Sequence, residues 1–277
     1  MDVRHPMHPD HGKALDTEGL RREFLIANLF TAGETRLVYS HFDRIIVGGV
    51  IPTSTTLALD VDRAVIGTDH LLDAREMGIL NLGGEGTVMV DGGAYPLGRL
   101  DALYAGRGAK SVVFSSRDPA SPARFYLLSG IAHRELPTTR IGRDAARTVV
   151  AGTREECNRR TIRQVIHPDV VASCNLVMGT TSLDPASVWN TMPCHTHPRR
   201  MEVYFYFDVP RDAVVFHLMG APNETRHVVV RNEQGIISPS WSIHSGVGTA
   251  SYSFVWGMVG ENQAFTDMDA VPMDELR

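Results

Sequence analysis

The sequence predicts an all-β chain: two similar β units in tandem, each an antiparallel sandwich or barrel, with a short N-terminal arm and few helices. Three observations carry this reading. From about Tyr39 onward, short β-branched and aromatic runs alternate with Gly, Pro, Asn and Asp, the spacing of antiparallel sandwiches and barrels. The runs fall into two sets, separated by the charged, non-alternating stretch 136–161. The two sets also share a weak internal repeat, in which Arg75-Glu76-Met77-Gly78-Ile79 aligns with Arg199-Arg200-Met201-Glu202-Val203 and residues 101–110 align with 235–244.

In chain order, residues 1–20 read as a polar arm, where Pro6 and Pro9 oppose a regular helix through His5, His8 and His11. A short amphipathic helix follows, with Thr17 as N-cap and Leu20, Phe24 and Leu25 on its apolar side. Strands of the first unit are expected over 44–48, 77–82, 87–90 and 111–115. Gly83, Gly84 and Gly86 lie between strand-like runs with no helix after them, so they read as a hairpin and not as a phosphate loop. Arg140, Arg143, Asp144 and Arg147 mark 136–161 as the connection between units. Strands resume over 175–178, 201–207, 213–218, 227–231 and 251–258. The expected division is 1–150, the arm plus the first β unit, and 151–277, the second.

Composition narrows the partners. Of 277 residues, 27 are Lys or Arg and 32 are Asp or Glu, a net charge of −5, so no global field draws the chain to nucleic acid or an anionic membrane. Small molecules are the expected ligands. Three cysteines without a C-x-x-C pair indicate neither a disulfide framework nor a zinc knuckle, and they fit a reducing compartment. The N-terminal residues lack the apolar run of a signal peptide and no later stretch is long enough to span a bilayer, so the expected location is cytoplasmic.

The most informative segment is Cys194-His195-Thr196-His197-Pro198-Arg199-Arg200-Met201-Glu202. Side chains at i and i+2 of a strand share a face, which puts His195 and His197 together. Pro198 and the arginines permit a turn, after which Glu202 starts a strand with Tyr204 and Tyr206 on its own face. A fourth ligand is available in His244, which follows a turn expected at Pro239. Three imidazoles and one carboxylate suit Zn²⁺, Fe²⁺, Mn²⁺ or Ni²⁺.

The pattern H-x-H-x(4)-E, followed some forty residues on by P-x(4)-H, resembles the two signature motifs of the cupins, β-barrels of the jelly-roll kind. The flanking words carry the resemblance further. Trp189-Asn190-Thr191-Met192-Pro193-Cys194-His195-Thr196-His197, Arg199-Arg200-Met201-Glu202-Val203-Tyr204-Phe205-Tyr206-Phe207 and Ser238-Pro239-Ser240-Trp241-Ser242-Ile243-His244-Ser245-Gly246 are similar to one family, as are Asp43-Arg44-Ile45-Ile46-Val47-Gly48-Gly49 and Trp256-Gly257-Met258-Val259-Gly260-Glu261-Asn262. It is the family of 5-dehydro-4-deoxy-D-glucuronate isomerases, also called 4-deoxy-L-threo-5-hexosulose-uronate ketol-isomerases.

That resemblance implies a zinc-dependent bicupin of pectin and polygalacturonate breakdown, assembled as a homohexamer, with the metal ligands carried onto His195, His197, Glu202 and His244. The implied reaction is an aldose–ketose isomerisation of a keto-uronate, with its carboxylate at the end remote from the reacting carbons. Glu202, Tyr204 and His217 are the candidates for moving protons. Arg163, Arg199, Arg200 and Arg226 are the candidates for holding the carboxylate, and Trp241 for walling the pocket. Projected through the repeat, the ligand positions become Leu71, Asp73, Gly78 and Lys110, so the first barrel is expected to hold no metal, with Arg75 and Glu76 as surface or interface charges. A sugar-sensing cupin and an iron-dependent cupin dioxygenase are the competing readings. The first is opposed by the lack of a basic patch or helix-turn-helix pattern, and oxygen uptake distinguishes the second.

Overall fold

Strand follows strand from Thr35 to Gly260 in the computed structural model, which describes residues 1–277, and the α-helices are short: Pro9–Gly12, Thr17–Phe24 and Arg63–Ile66. No helix is long and apolar enough to cross a membrane. The chain forms two compact units, one built from 1–4, 29–147 and 165–177 and the other from 5–28, 148–164 and 178–277.

In the first unit a seven-stranded sheet runs in the order Asp2–Arg4, Thr35–Ser40, Ile46–Val50, Phe125–Ile131, Arg75–Asn81, Ala102–Ala105, Thr139–Ile141. A four-stranded sheet runs Leu57–Ala58, Val112–Ser116, Gly86–Val90, Gly93–Leu97. Met77, Ile79, Val88, Leu103, Phe114, Phe125 and Leu127 fill its core. In the second unit the large sheet runs Arg147–Ala151, Arg160–Ile166, Val177–Leu183, Ser253–Gly260, Arg200–Phe207, Gln234–Ser238, Leu25–Ile26, and the small sheet Trp189–Asn190, Ser245–Gly248, Val215–Ala221, Glu224–Val230. Place for place, Arg75–Asn81 corresponds to Arg200–Phe207, Ala102–Ala105 to Gln234–Ser238, and Val112–Ser116 to Ser245–Gly248. The internal repeat is therefore a repeat of topology, and the all-β, two-barrel cupin fold is the observed one.

Several expectations are corrected. No helix runs through His5, His8 and His11, as expected, but a single turn, Pro9–Gly12, starts at Pro9, where no N–H is needed, and the His8 ring accepts from Asp10 N at 3.1 Å. The cap of the next helix is Asp16, not Thr17, because its carboxylate accepts from Gly19 N at 2.7 Å. Leu20 and Phe24 are buried as expected, whereas Leu25 leaves the helix for a strand paired with Ile236. Residues 83–86 do not form a hairpin, since they lead from the large sheet of the first unit to its small one. Asn81 organises that crossing by accepting from Gly83 N and Arg124 N and donating to Gly84 and Leu97 carbonyls. A Cβ on Gly84 would stand 2.0 Å from the Ser121 carbonyl oxygen, which explains the glycine. The stretch 136–161 holds the strands Thr139–Ile141 and Arg147–Ala151 and the start of Arg160–Ile166.

The boundary expected at 150 is replaced by interleaved segments. Residues 5–28 belong to the second unit, where Leu25–Ile26 closes the edge of the large sheet, and residues 165–177 belong to the first. The anchor of the latter segment is Glu76. Sequence reads Glu76 and Arg75 as surface or interface charges, yet within the single chain they are already 0% and 7% exposed. The Glu76 carboxylate accepts from Cys174 N (2.6 Å), Asn175 N (2.7 Å), Leu176 N (2.8 Å) and Tyr104 Oη (2.7 Å), which together replace the water a buried anion loses. Arg75 donates to the Arg44 carbonyl and stacks over the Tyr39 ring. Glu76→Gln turns one acceptor oxygen into a donor facing donors and is expected to cost about 3 kcal/mol. Urea unfolding measures it, and an unchanged midpoint would contradict this role.

Candidate metal centre

Glu202 lies near the start of Arg200–Phe207, a strand whose every residue is buried, paired through Ser238 on one side and Met258 on the other. Strand alternation puts Tyr204 and Tyr206 on its face, and Tyr204 stacks on Phe254 with centroids 4.7 Å apart. His195 sits on the two-residue strand His195–Thr196, held by Asp269–Ala270 near the C-terminus. Cys194, pointing the other way, packs with Ile243 and Val271. The chain then turns, with Arg200 N donating to the His197 carbonyl at 3.1 Å. His244 arrives through a turn in which Ser242 N donates to the Pro239 carbonyl, and it directly precedes the strand Ser245–Gly248.

These elements bring one donor atom each from His195, His197, Glu202 and His244 within 4.8 Å of one another. His195 Nε2 is 2.9 Å from His244 Nε2, while Glu202 Oε2 is 3.0 Å from His244 Nε2 and 3.1 Å from His197 Nε2. His197 Nδ1 donates to the Arg200 carbonyl at 2.8 Å, so Nε2 is the atom turned to the carboxylate. Burial and then His244 push His195 down to about 3, which keeps it an unprotonated donor at neutral pH. Burial opposes the Glu202 charge, but His244 and His197 outweigh it and hold the carboxyl well below its usual range. Three imidazole nitrogens and a carboxylate oxygen converging on one point are a donor set that fits a divalent cation.

A cavity of about 290 Å³ opens onto this group. Besides His195, His197 and Glu202 its wall includes Tyr204, Arg160, Arg200, Thr191, Phe254 and Trp256. Gly179 sits against Trp256, where a Cβ would meet Cζ2 at 2.3 Å, so the glycine leaves room for the indole. Tyr204 Oη lies 3.1 Å from Thr191 Oγ1.

The other sequence candidates divide. Arg200 is on the cavity wall but its guanidinium donates to Asn262 Oδ1 and the Asp267 carbonyl, both at 3.3 Å. Arg163 and Arg199 are off the wall, and Arg199 is tied to Asp267 and Asp269. Arg226 and Trp241 line a different cavity with the N-terminal helices, where Arg226 pairs with Glu224 and Trp241 Nε1 donates to the Met7 carbonyl at 3.3 Å. His217 is fully buried behind the wall, with Nδ1 2.7 Å from Tyr206 Oη. Arg160 is the wall residue sequence reasoning missed, because it falls in the stretch taken for a connection. Thr191 and Trp256 were legible only as letters within the family words.

Residues 24–273 match the KduI/IolB family. A 4-deoxy-L-threo-5-hexosulose-uronate ketol-isomerase from Escherichia coli O8 (strain IAI1) is 55% identical over 279 residues, covering 100% of both chains. The chain belongs to the KduI/IolB family. The same-named protein of E. coli O139:H28 is 54% identical over the same span. Among solved structures, an IolB-like protein from Salmonella typhimurium superposes with a TM-score of 0.70 at 12% identity, covering 87% of this chain and 94% of that one. Lactobacillus farciminis oxalate decarboxylase superposes with a TM-score of 0.61 at 10% identity, covering 91% and 89%. These two likenesses establish the shared fold.

In the first unit the positions that the repeat aligns with the donors hold Leu71, buried, Gly78, and Asp73 paired with Lys110. Elemental analysis of the metal-loaded protein is expected to give one metal per chain, falling to none in a His195→Ala/His197→Ala variant. Retained stoichiometric metal in that variant would refute the site.

Proposed function

We propose that this chain is a zinc-dependent aldose–ketose isomerase that converts 5-dehydro-4-deoxy-D-glucuronate to 3-deoxy-D-glycero-2,5-hexodiulosonate in pectin and polygalacturonate breakdown. The observation that supports it most is the convergence of His195, His197, Glu202 and His244 in a chain 55% identical from end to end to a ketol-isomerase of that name. The family resemblance extends the reading to a cytoplasmic homohexamer.

His195, His197, Glu202 and His244 would hold the ion, which when bound supplies Lewis-acid stabilisation of the negative charge of an enediolate. The imidazole contacts of Glu202 both fall on Oε2, so Oε1 is the atom assigned to carry the proton from C2 to C1. No other carboxylate lines the cavity. Burial, with Glu202 beside it, holds the Tyr204 phenol well above its ordinary value, so Tyr204 acts as a neutral donor to a substrate oxygen, oriented by Thr191. Burial and then His244 push His217 down to about 3, and the neutral ring accepts from Tyr206. His217 is thus a positioning residue, one layer behind the substrate.

A coupled assay on the keto-uronate tests the proposal. Metal-stripped protein is expected to be inactive and zinc-restored protein active, without oxygen uptake, and turnover in D₂O is expected to place deuterium at C1 of the ketose. Oxygen consumption would indicate a dioxygenase, and full activity of the stripped protein would end the metal-dependent reading.

A further inference from the structure

The cavity wall carries two arginines, and they differ in what they already hold. Arg200 is fully buried and anchored on Asn262 and on the Asp267 carbonyl. Arg160 is half-buried, makes one side-chain hydrogen bond, from Nη1 to the Asn158 carbonyl at 2.9 Å, and has no carboxylate partner. The arginines outside the cavity with acidic partners, Arg199 and Arg226, are already neutralised. Burial draws the Arg160 guanidinium below its ordinary value, which marks a cation short of both water and counterion. A guanidinium with free N–H donors on the wall of a cavity is shaped for a planar, bidentate anion.

We infer that Arg160 binds the carboxylate of the substrate and so fixes which end of the carbon chain meets the metal ligands. The inference rests on the isomerase reading for the substrate's identity. Its geometry follows from the sheet. The strand Arg160–Ile166 is three places from Arg200–Phe207 in the large sheet, about 14 Å between strand axes at ordinary spacing, and both side chains reach into the cavity between them. A six-carbon acid whose reacting carbons lie at one end and whose carboxylate lies at the other suits that separation. Ile162, Phe254 and Trp256 supply the apolar wall along its length. A neutral aldose of the same skeleton would leave the guanidinium unpaired, so the same contact gives specificity for the acid.

The test compares zinc-loaded wild type, Arg160→Met and Arg160→Lys on the keto-uronate and on its analogue with a hydroxymethyl group in place of the carboxylate. Wild type is expected to prefer the acid by roughly 100-fold in kcat/KM. Arg160→Met is expected to lose that preference, chiefly through KM, while keeping one metal per chain, and Arg160→Lys to recover part of it. Arg226→Met is expected to match wild type. A variant that retains the full preference, or that loses activity equally on both compounds, overturns the inference. If wild type turns over neither compound the isomerase reading fails by itself, and calorimetric titration with the same two compounds then decides. Preference for the acid that disappears in Arg160→Met supports the carboxylate site, and equal affinity of wild type for both overturns it.

Discussion

A carboxylate inside a barrel has to be compensated, and Glu202 sets that requirement for the second unit. It is 5% exposed, and its Oε2 lies 3.0 Å from His244 Nε2 and 3.1 Å from His197 Nε2. Removing such a group from water costs several kcal/mol unless a cation or strong donors replace the solvent. The elements around it are arranged to deliver those partners. The tail segment Asp269–Ala270 pins the His195 strand, the turn after His197 fixes that ring through the Arg200 carbonyl, and the Pro239 turn presents His244. One cation shared by four donors satisfies all of them together, which is why the site is read as a metal centre and not as a chain of protonated histidines.

The first unit shows the same strand order without that requirement. Where the repeat aligns ligands, it holds an apolar side chain, a glycine and an Asp73–Lys110 pair at the surface. Its buried carboxylate stands two residues before Gly78 on the same strand: Glu76, aligned with Arg200, accepts from three backbone N–H groups and a phenol. Glu76 and Arg200 carry opposite charges, and each ties an irregular segment of its own unit to the sheet, 174–176 in one and 262–267 in the other. The same strand order thus carries different buried groups in the two units.

The strands and the four donors were legible because they rest on local rules: period-two alternation, turn residues and the spacing of His195, His197, Glu202 and His244. The interleaving of 5–28 and 165–177 was not, because sheet-edge pairing of Leu25–Ile26 and the Glu76 anchor are contacts between distant residues with no periodic signature. Arg75 and Glu76 illustrate the limit: charged letters read as surface, whereas their partners are backbone groups that composition does not reveal. Trp241 and Arg226 were drawn toward the site by sequence proximity to His244 and His217, but outward-facing positions carry them to another cavity. Arg160 escaped for the opposite reason, sitting beyond a loop with no motif of its own.

X-ray absorption at the metal edge of the zinc-loaded protein tests the central assignment most directly. The account predicts a first shell of nitrogen and oxygen only, at about 2.0–2.1 Å, with outer-shell scattering from three imidazoles. A sulfur contribution near about 2.3 Å, which would bring in Cys194, or scattering from fewer than three imidazoles, would contradict it.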